Sequence, residues 1–118
     1  MIIGIGVDLV DLARFERAVT RTPNLLARLF VPAERELPVR SLAGRFAAKE
    51  ALIKALGSSD GIRWQEMAIV NGPEGKPDFE LSGVTAGVVA ERGITSMHLS
   101  MTHDAGVAVA FVVAEREG

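Results

Sequence analysis

The chain has 118 residues, of which 48% are hydrophobic, enough apolar material for one core and too little length for two domains. It has no cysteine, which excludes a disulfide framework, a zinc–thiolate site and a thiol nucleophile, and suits a reducing cytoplasm. A net charge of −2 gives no support to general nucleic-acid binding.

The first segment, "MIIGIGVDLVDL", lacks a basic start and reaches Asp8 quickly, unlike a secretory leader. "IIGIGVDLV" alternates as a strand. Gly4, Gly6, Asp8 and Val10 share one face, and Ile3, Ile5, Val7 and Leu9 the other. Two glycines beside a carboxylate leave room for something to approach the backbone. A dinucleotide loop is discounted, because "GIGVDL" has no third glycine and does not follow a strand. Asp11 is placed to cap a helix over Leu12 to Thr20. Thr22 and Pro23 make an N-cap and N1 pair for a second short helix, "TPNLLARLF". From Leu12 to Phe30 the chain carries Arg14, Arg17, Arg21 and Arg28 against Glu16 alone. Such a basic stretch on a mildly acidic protein is either a solvated face or a docking face for an acidic partner.

"VPAERELPVR" is a polar connection with two prolines. Ser41 is then placed to cap a long helix running to Gly57. At about 100° per residue, Leu42, Phe46, Ile53 and Leu56 form an apolar arc that also contains Lys49. Glu50 and Lys54 lie just beside it, while Ala47, Ala48, Ala51 and Ala55 fill the far side. A helix apolar nearly all round is buried, so its charges need partners. Lys54 at i+4 is one mate for Glu50. Lys49 must either reach solvent along its stem or meet an anion. Arg45, Lys49 and Lys54 around one carboxylate suit a polyphosphate with its divalent metal. Mg²⁺ favours one or two protein carboxylates, a count that Asp8 and Glu50 match if the fold joins them.

"MAIVN", the turn "GPEGKP" and "DFELS" form a hairpin over Met67 to Ser82. A short helix follows over Val84 to Glu91, stopped by Gly93. "SMHLSMT" and "GVAVAFVVAE" are the last strands, joined tightly by "HDAG" and antiparallel. "AGVAVAFVVA" is too short to span a bilayer as a helix, and no membrane partner is expected. Along "HLSMTHD", His98, Ser100 and Thr102 share one face, with Met97, Leu99, Met101 and His103 on the other. A Ser100–His103–Asp104 triad is rejected, because no nucleophile elbow is present. Hydroxyls and a histidine beside a turn suit phosphate contacts. The element order indicates an α+β fold with antiparallel sheet, one long helix and several short ones, over residues 1–118 as a single domain.

Taken together, "IGIGVDLVDLARFERAV", "LAGRFAAKEALIKALG", "GPEGKP" and "HLSMTHDAGVAVAFVV" resemble the bacterial 4′-phosphopantetheinyl transferase family of holo-acyl-carrier-protein synthases, in order and over nearly the whole chain. The resemblance implies a small α+β domain forming a homotrimer with sites at subunit boundaries. It implies Mg²⁺-dependent transfer of phosphopantetheine from coenzyme A to a serine of acyl carrier protein, in fatty-acid biosynthesis, releasing adenosine 3′,5′-bisphosphate. Asp8 and Glu50 match its metal-binding carboxylates, and Lys54 its phosphate-side lysine. Ser100 and His103 match residues near the nucleotide phosphates, and Lys76 and Pro77 belong to a loop beside the nucleotide. Arg45, Lys49 and Gly57 complete the expected coenzyme A set. Arg14 and Arg21, with Arg17 between them, match residues that meet the acidic carrier helix. The general base is left open among Glu50, a metal-bound water, Asp104 and a carrier group. Two departures stand out: a short connection from Glu34 to Arg40, and an acid at Asp104, read as a turn cap in preference to a proton-transfer group. A non-catalytic carrier adaptor would need neither Asp8 nor Glu50. A metal-dependent nucleotide pyrophosphatase would ask for further acidic ligands.

Overall fold

The computed structural model describes residues 1–118. Three long strands, β1 (Ile2–Asp11), β4 (Ser96–Asp104) and β5 (Val107–Glu115), form an antiparallel sheet in the order β1-β5-β4. Two short strands, β2 (Met67–Asn71) and β3 (Pro77–Leu81), pair as a separate hairpin. Helices α1 (Leu12–Arg21), α2 (Leu25–Leu29), α3 (Val39–Leu56) and α4 (Gly83–Glu91) occupy the connections. This is the expected α+β arrangement, and no helix is long and apolar enough to cross a membrane.

The two glycines of β1 explain how α3 seats on the sheet. A Cβ on Gly4 would stand 1.8 Å from the Ala55 carbonyl oxygen, and one on Gly6 1.9 Å from that of Ala51. What approaches the strand backbone is therefore the helix itself. Ala47, Ala48, Ala51 and Ala55, on the helix's far side by sequence, are its buried sheet-facing side. At the other end of α3, Gly44 rests on the Met101 side chain of β4. The helix thus runs diagonally from β4 to β1. Its small residues join Phe15, Phe30, Leu99 and Val112 in one core cluster.

Local chemistry moves several boundaries. Asp11 caps α1 as expected, its Oδ1 accepting the Arg14 N–H at 2.8 Å. Thr22 does not start α2. It ends α1, donating its N–H to Ala18 O, and α2 begins only after Asn24, a left-handed residue at φ 66°. Ser41 does not cap α3 either. The helix starts at Val39, because Pro38 is fixed at φ −56° and its carbonyl accepts the Leu42 N–H. Glu66 caps α4 from a distance, accepting Val84 N–H, Thr85 N–H and Thr85 Oγ1. The last turn is tighter than expected: Ala105 and Gly106 alone, at φ 50° and 80°, join β4 to β5. This double left-handed pair matches the strand twist of a two-residue hairpin. It also brings His103 and Asp104 inside the strand.

The outer face of the sheet has no cover. Ile3, Ile5, Val7 and Leu9 stand in a row, with Leu9 62% exposed, and Phe111 beside Val7 is 44% exposed.

Candidate active site

Asp8 lies on the inner face of β1, opposite Ala110 of β5, where the glycines let α3 come close. Glu50 and Lys54 reach it from α3, one turn apart. Lys54 Nζ binds Asp8 Oδ1 at 2.9 Å and the Val7 carbonyl at 3.1 Å. The helical spacing offered Glu50 as the mate of Lys54; across the interface the lysine bonds to Asp8 instead. Glu50 keeps a carboxyl pushed above its usual range, first by burial and then by the charge of Asp8, with Lys54 opposing. Two crowded carboxylates of this kind are relieved by a cation between them. No third His, Cys, Asp or Glu joins them as a protein-only cage. The donor set therefore fits a hard divalent ion that keeps several of its ligands from water and phosphate.

Both carboxylates open into a cavity of about 500 Å³ that Arg14, Phe15, Phe46 and Trp64 also line. Its wall is an aromatic run. Phe15 and Phe46 have ring centroids 5.6 Å apart, and Phe46 stacks on Trp64 at 5.6 Å. Trp64 carries no periodic or motif signal in the sequence, and only the fold reveals it as part of the site.

A second cleft, of about 240 Å³, lies at the other edge of the sheet. Arg40, Ser41, Arg45, Asn71, Pro77 and His103 line it, and no carboxylate does. Lys76 and Pro77 continue into a neighbouring recess with His98 and Leu99. No residue is common to this cleft and the carboxylate cavity. β1 and β4 are the two outer strands, about 10 Å apart at ordinary strand spacing, and α3 runs between the two hollows. Of the expected site residues, Asp8, Arg14 and Glu50 line the first hollow, and Arg45, Pro77 and His103 the second. Ser100 belongs to neither hollow; it faces outward on the exposed sheet, opposite Phe111. Gly57 ends α3 at φ 82°, three residues beyond Lys54. Asp104 accepts the N–H of its neighbour Ala105 at 2.8 Å, so its carboxylate is engaged at the turn.

Lys49 is a correction. It faces neither solvent nor a ligand cavity. Its ammonium is fully enclosed, donating to Glu34 Oε1 at 2.8 Å and to the Leu29 carbonyl at 2.7 Å, with the Phe30 ring at 4.7 Å. Burial lowers its pKa despite the pairing with Glu34. The anion it required is thus internal, and Lys49 does not touch a bound nucleotide in this geometry. Glu34 was hidden in the sequence, inside a proline-flanked polar connection with no period linking it to a lysine fifteen residues on.

Arg14, Arg17 and Arg21 project from α1 into solvent, and Arg28 from α2; none of the four is in a salt bridge. Arg14 alone of these also lines the carboxylate cavity.

The chain is similar to known proteins over nearly its whole length. A holo-(acyl-carrier-protein) synthase of Clavibacter sepedonicus is 64% identical over 118 residues, covering 100% of this chain and 99% of the relative. That of Leifsonia xyli is 62% identical over 117 residues, covering 99% of each. Among solved structures, the synthase of Neisseria meningitidis superposes with a TM-score of 0.90 at 35% identity, covering 98% of this chain and 100% of that one. The Bacillus anthracis synthase in complex with coenzyme A superposes at 0.81 and 31% identity, covering 99% of each chain. The model of the 4′-phosphopantetheinyl transferase superfamily matches residues 4–112, and the chain belongs to that family.

Proposed function

We propose that this chain transfers the 4′-phosphopantetheine arm of coenzyme A to a serine of apo acyl carrier protein. The supporting observation is the meeting of Asp8, Glu50 and Lys54 beside a cavity large enough for a reacting diphosphate. Residues 1–118 act as one domain in this reading, in the cytoplasm, serving fatty-acid biosynthesis.

Asp8 and Glu50 would hold Mg²⁺, which when bound neutralises charge on the diphosphate and its leaving group. Lys54, half exposed on its bond to Asp8, is free to swing onto a phosphate oxygen. The serine hydroxyl forms a P–O bond to the β-phosphorus as the bond to the bridging oxygen breaks. Its proton leaves to a base, and adenosine 3′,5′-bisphosphate departs. Glu50, beside the reacting diphosphate in this reading, is one candidate for that base. Arg45, Lys76, Pro77 and His103 would receive the nucleotide, with Ser100 and Gly57 at its margins. Arg14, Arg17 and Arg21 would steer the carrier's acidic helix.

The active unit is a homotrimer in this reading. Two features support it. One chain keeps the carboxylate half-site and the basic half-site apart, so a neighbour's cleft would have to complete each cavity. The bare row of Ile3, Ile5, Val7 and Leu9 with Phe111 supplies an apolar surface for the contact. The reading is tested by incubating the protein with coenzyme A, Mg²⁺ and apo carrier. A phosphopantetheine mass gain on the carrier supports it. Hydrolysis of coenzyme A with an unmodified carrier points to a pyrophosphatase, and binding without chemistry to an adaptor.

A further inference from the structure

Glu34 is only 3% exposed, yet it is surrounded by donors. Oε1 accepts from Lys49 Nζ at 2.8 Å and from the Val31 N–H at 3.2 Å. Oε2 accepts the Ile69 N–H at 3.1 Å, and Arg45 Nε stands 3.7 Å from it. The carboxylate thus joins the turn after α2, the middle of α3 and the start of the hairpin. Two cations share it. Lys49 has the short bond and complete enclosure. Arg45 has the remainder, and its Nε is buried without any hydrogen-bond partner.

An arginine beside a free carboxylate ordinarily closes a two-pronged pair. Here Oε1 already accepts two hydrogen bonds and Oε2 one, and Arg45 Nε stops 3.7 Å from Oε2, beyond hydrogen-bond reach. Glu34 therefore holds Arg45 in place by charge without saturating its guanidinium. Arg45 lines the acid-free cleft together with Arg40, Ser41 and His103. Two positive charges against one negative charge leave this wall attractive to an anion.

We propose that Glu34 and Lys49 are positioning residues for the nucleotide. Lys49 occupies the carboxylate so that Arg45, its Nε turned to Glu34, stays anchored but unneutralised, and its terminal Nη groups bind a phosphate in the cleft. This rests on Arg45 being a nucleotide contact. A merely structural ion pair would hold the turn to α3 and leave nucleotide affinity alone.

Lys49→Met keeps the length and apolar bulk of the stem and frees Glu34 to close on Arg45. The readouts are Michaelis constants for coenzyme A and carrier, and calorimetric affinity for adenosine 3′,5′-bisphosphate, with folding checked by circular dichroism. Lys49→Met should weaken bisphosphate binding and raise the coenzyme A constant by about tenfold, the scale of one charge-assisted hydrogen bond. The carrier constant should stay within about twofold. Arg45→Ala should show the same loss, and adding Lys49→Met to it should cost nothing more. If Lys49→Met alone does not fold, Glu34→Gln with Lys49→Met removes both buried charges and should show the same tenfold loss from an unanchored Arg45. Normal bisphosphate affinity in the folded variants would overturn the positioning role. Normal affinity in Arg45→Ala would overturn the assignment of Arg45 itself, and the positioning role with it.

Discussion

Lys49 and Lys54 sit on the same helix, five residues apart, and each pairs with a carboxylate at short range. The Lys49–Glu34 pair is sealed, at 0% and 4% side-chain exposure, whereas Lys54 beside Asp8 is 53% exposed. The charges are alike, but burial separates their uses. A sealed pair cannot exchange its partner for a ligand without unfolding its surroundings, and removing one member strands the other. An exposed pair costs little to open, so its lysine can leave for a phosphate and its carboxylate for a metal. The difference arises in the backbone. Gly4 and Gly6 draw α3 against β1 near its C-terminal end, where the groove stays open. The turn after α2 closes over its middle.

The largest effect should come from the open cluster. Asp8→Ala or Glu50→Gln should cut turnover to about a hundredth or less, the scale of losing a group that stabilises developing charge. Kinetics over a Mg²⁺ titration would check this, and near-normal rates would break the assignment. Glu50 adds a stability test. Its raised carboxyl pKa means the native state holds that proton more tightly than the unfolded chain. Glu50 therefore favours the fold at pH below the ordinary carboxylate range, and that benefit fades as pH rises through the raised value. Without metal at neutral pH, Glu50→Gln should melt at or above the wild-type temperature while being inactive.

The closed cluster should behave in the opposite way. Glu34→Ala should cost about 3–5 kcal/mol of stability, because it leaves a buried ammonium unpaired. Lys54→Ala, by contrast, should stay within about 1 kcal/mol of wild type and weaken coenzyme A binding. Denaturant melts of both variants sharpen the comparison, and equal losses would erase it.

The arginines of α1 should give the smallest and most salt-sensitive effect. Arg17→Glu or Arg21→Glu, neither of which lines the carboxylate cavity, should raise the Michaelis constant for carrier and barely move that for coenzyme A. Added salt should weaken the wild type more than the variants, since exposed charges are screened within about 8–10 Å at physiological strength. Steady-state kinetics at low and high salt would decide it; an unchanged carrier constant at low salt would remove the docking role.

Much of this was legible from residues alone. The alternation of β1, the hairpin around "GPEGKP" and the isolated carboxylates at Asp8 and Glu50 carry local or motif-level signals. What escaped depends on contacts between distant segments. That Glu34 would meet Lys49 is settled by how a proline-bounded turn folds over α3. That Lys54 would choose Asp8 over Glu50 follows from the close approach of strand and helix. The start of α3 moved because Pro38 fixes the preceding backbone more firmly than Ser41 competes for it. Trp64 joined the site only by stacking on Phe46.

In the trimer we propose, each working site combines the carboxylate half-site of one subunit with the basic cleft of its neighbour. Mixing two variants tests it most directly. Asp8→Ala lacks the first half and Arg45→Ala impairs the second, so each alone should be poorly active. Reassembled together at equal ratio in a ring of three, about one quarter of the boundaries should join two intact halves. Carrier modification should recover toward about a quarter of the wild-type rate. Activity no greater than the average of the two parent variants would contradict it.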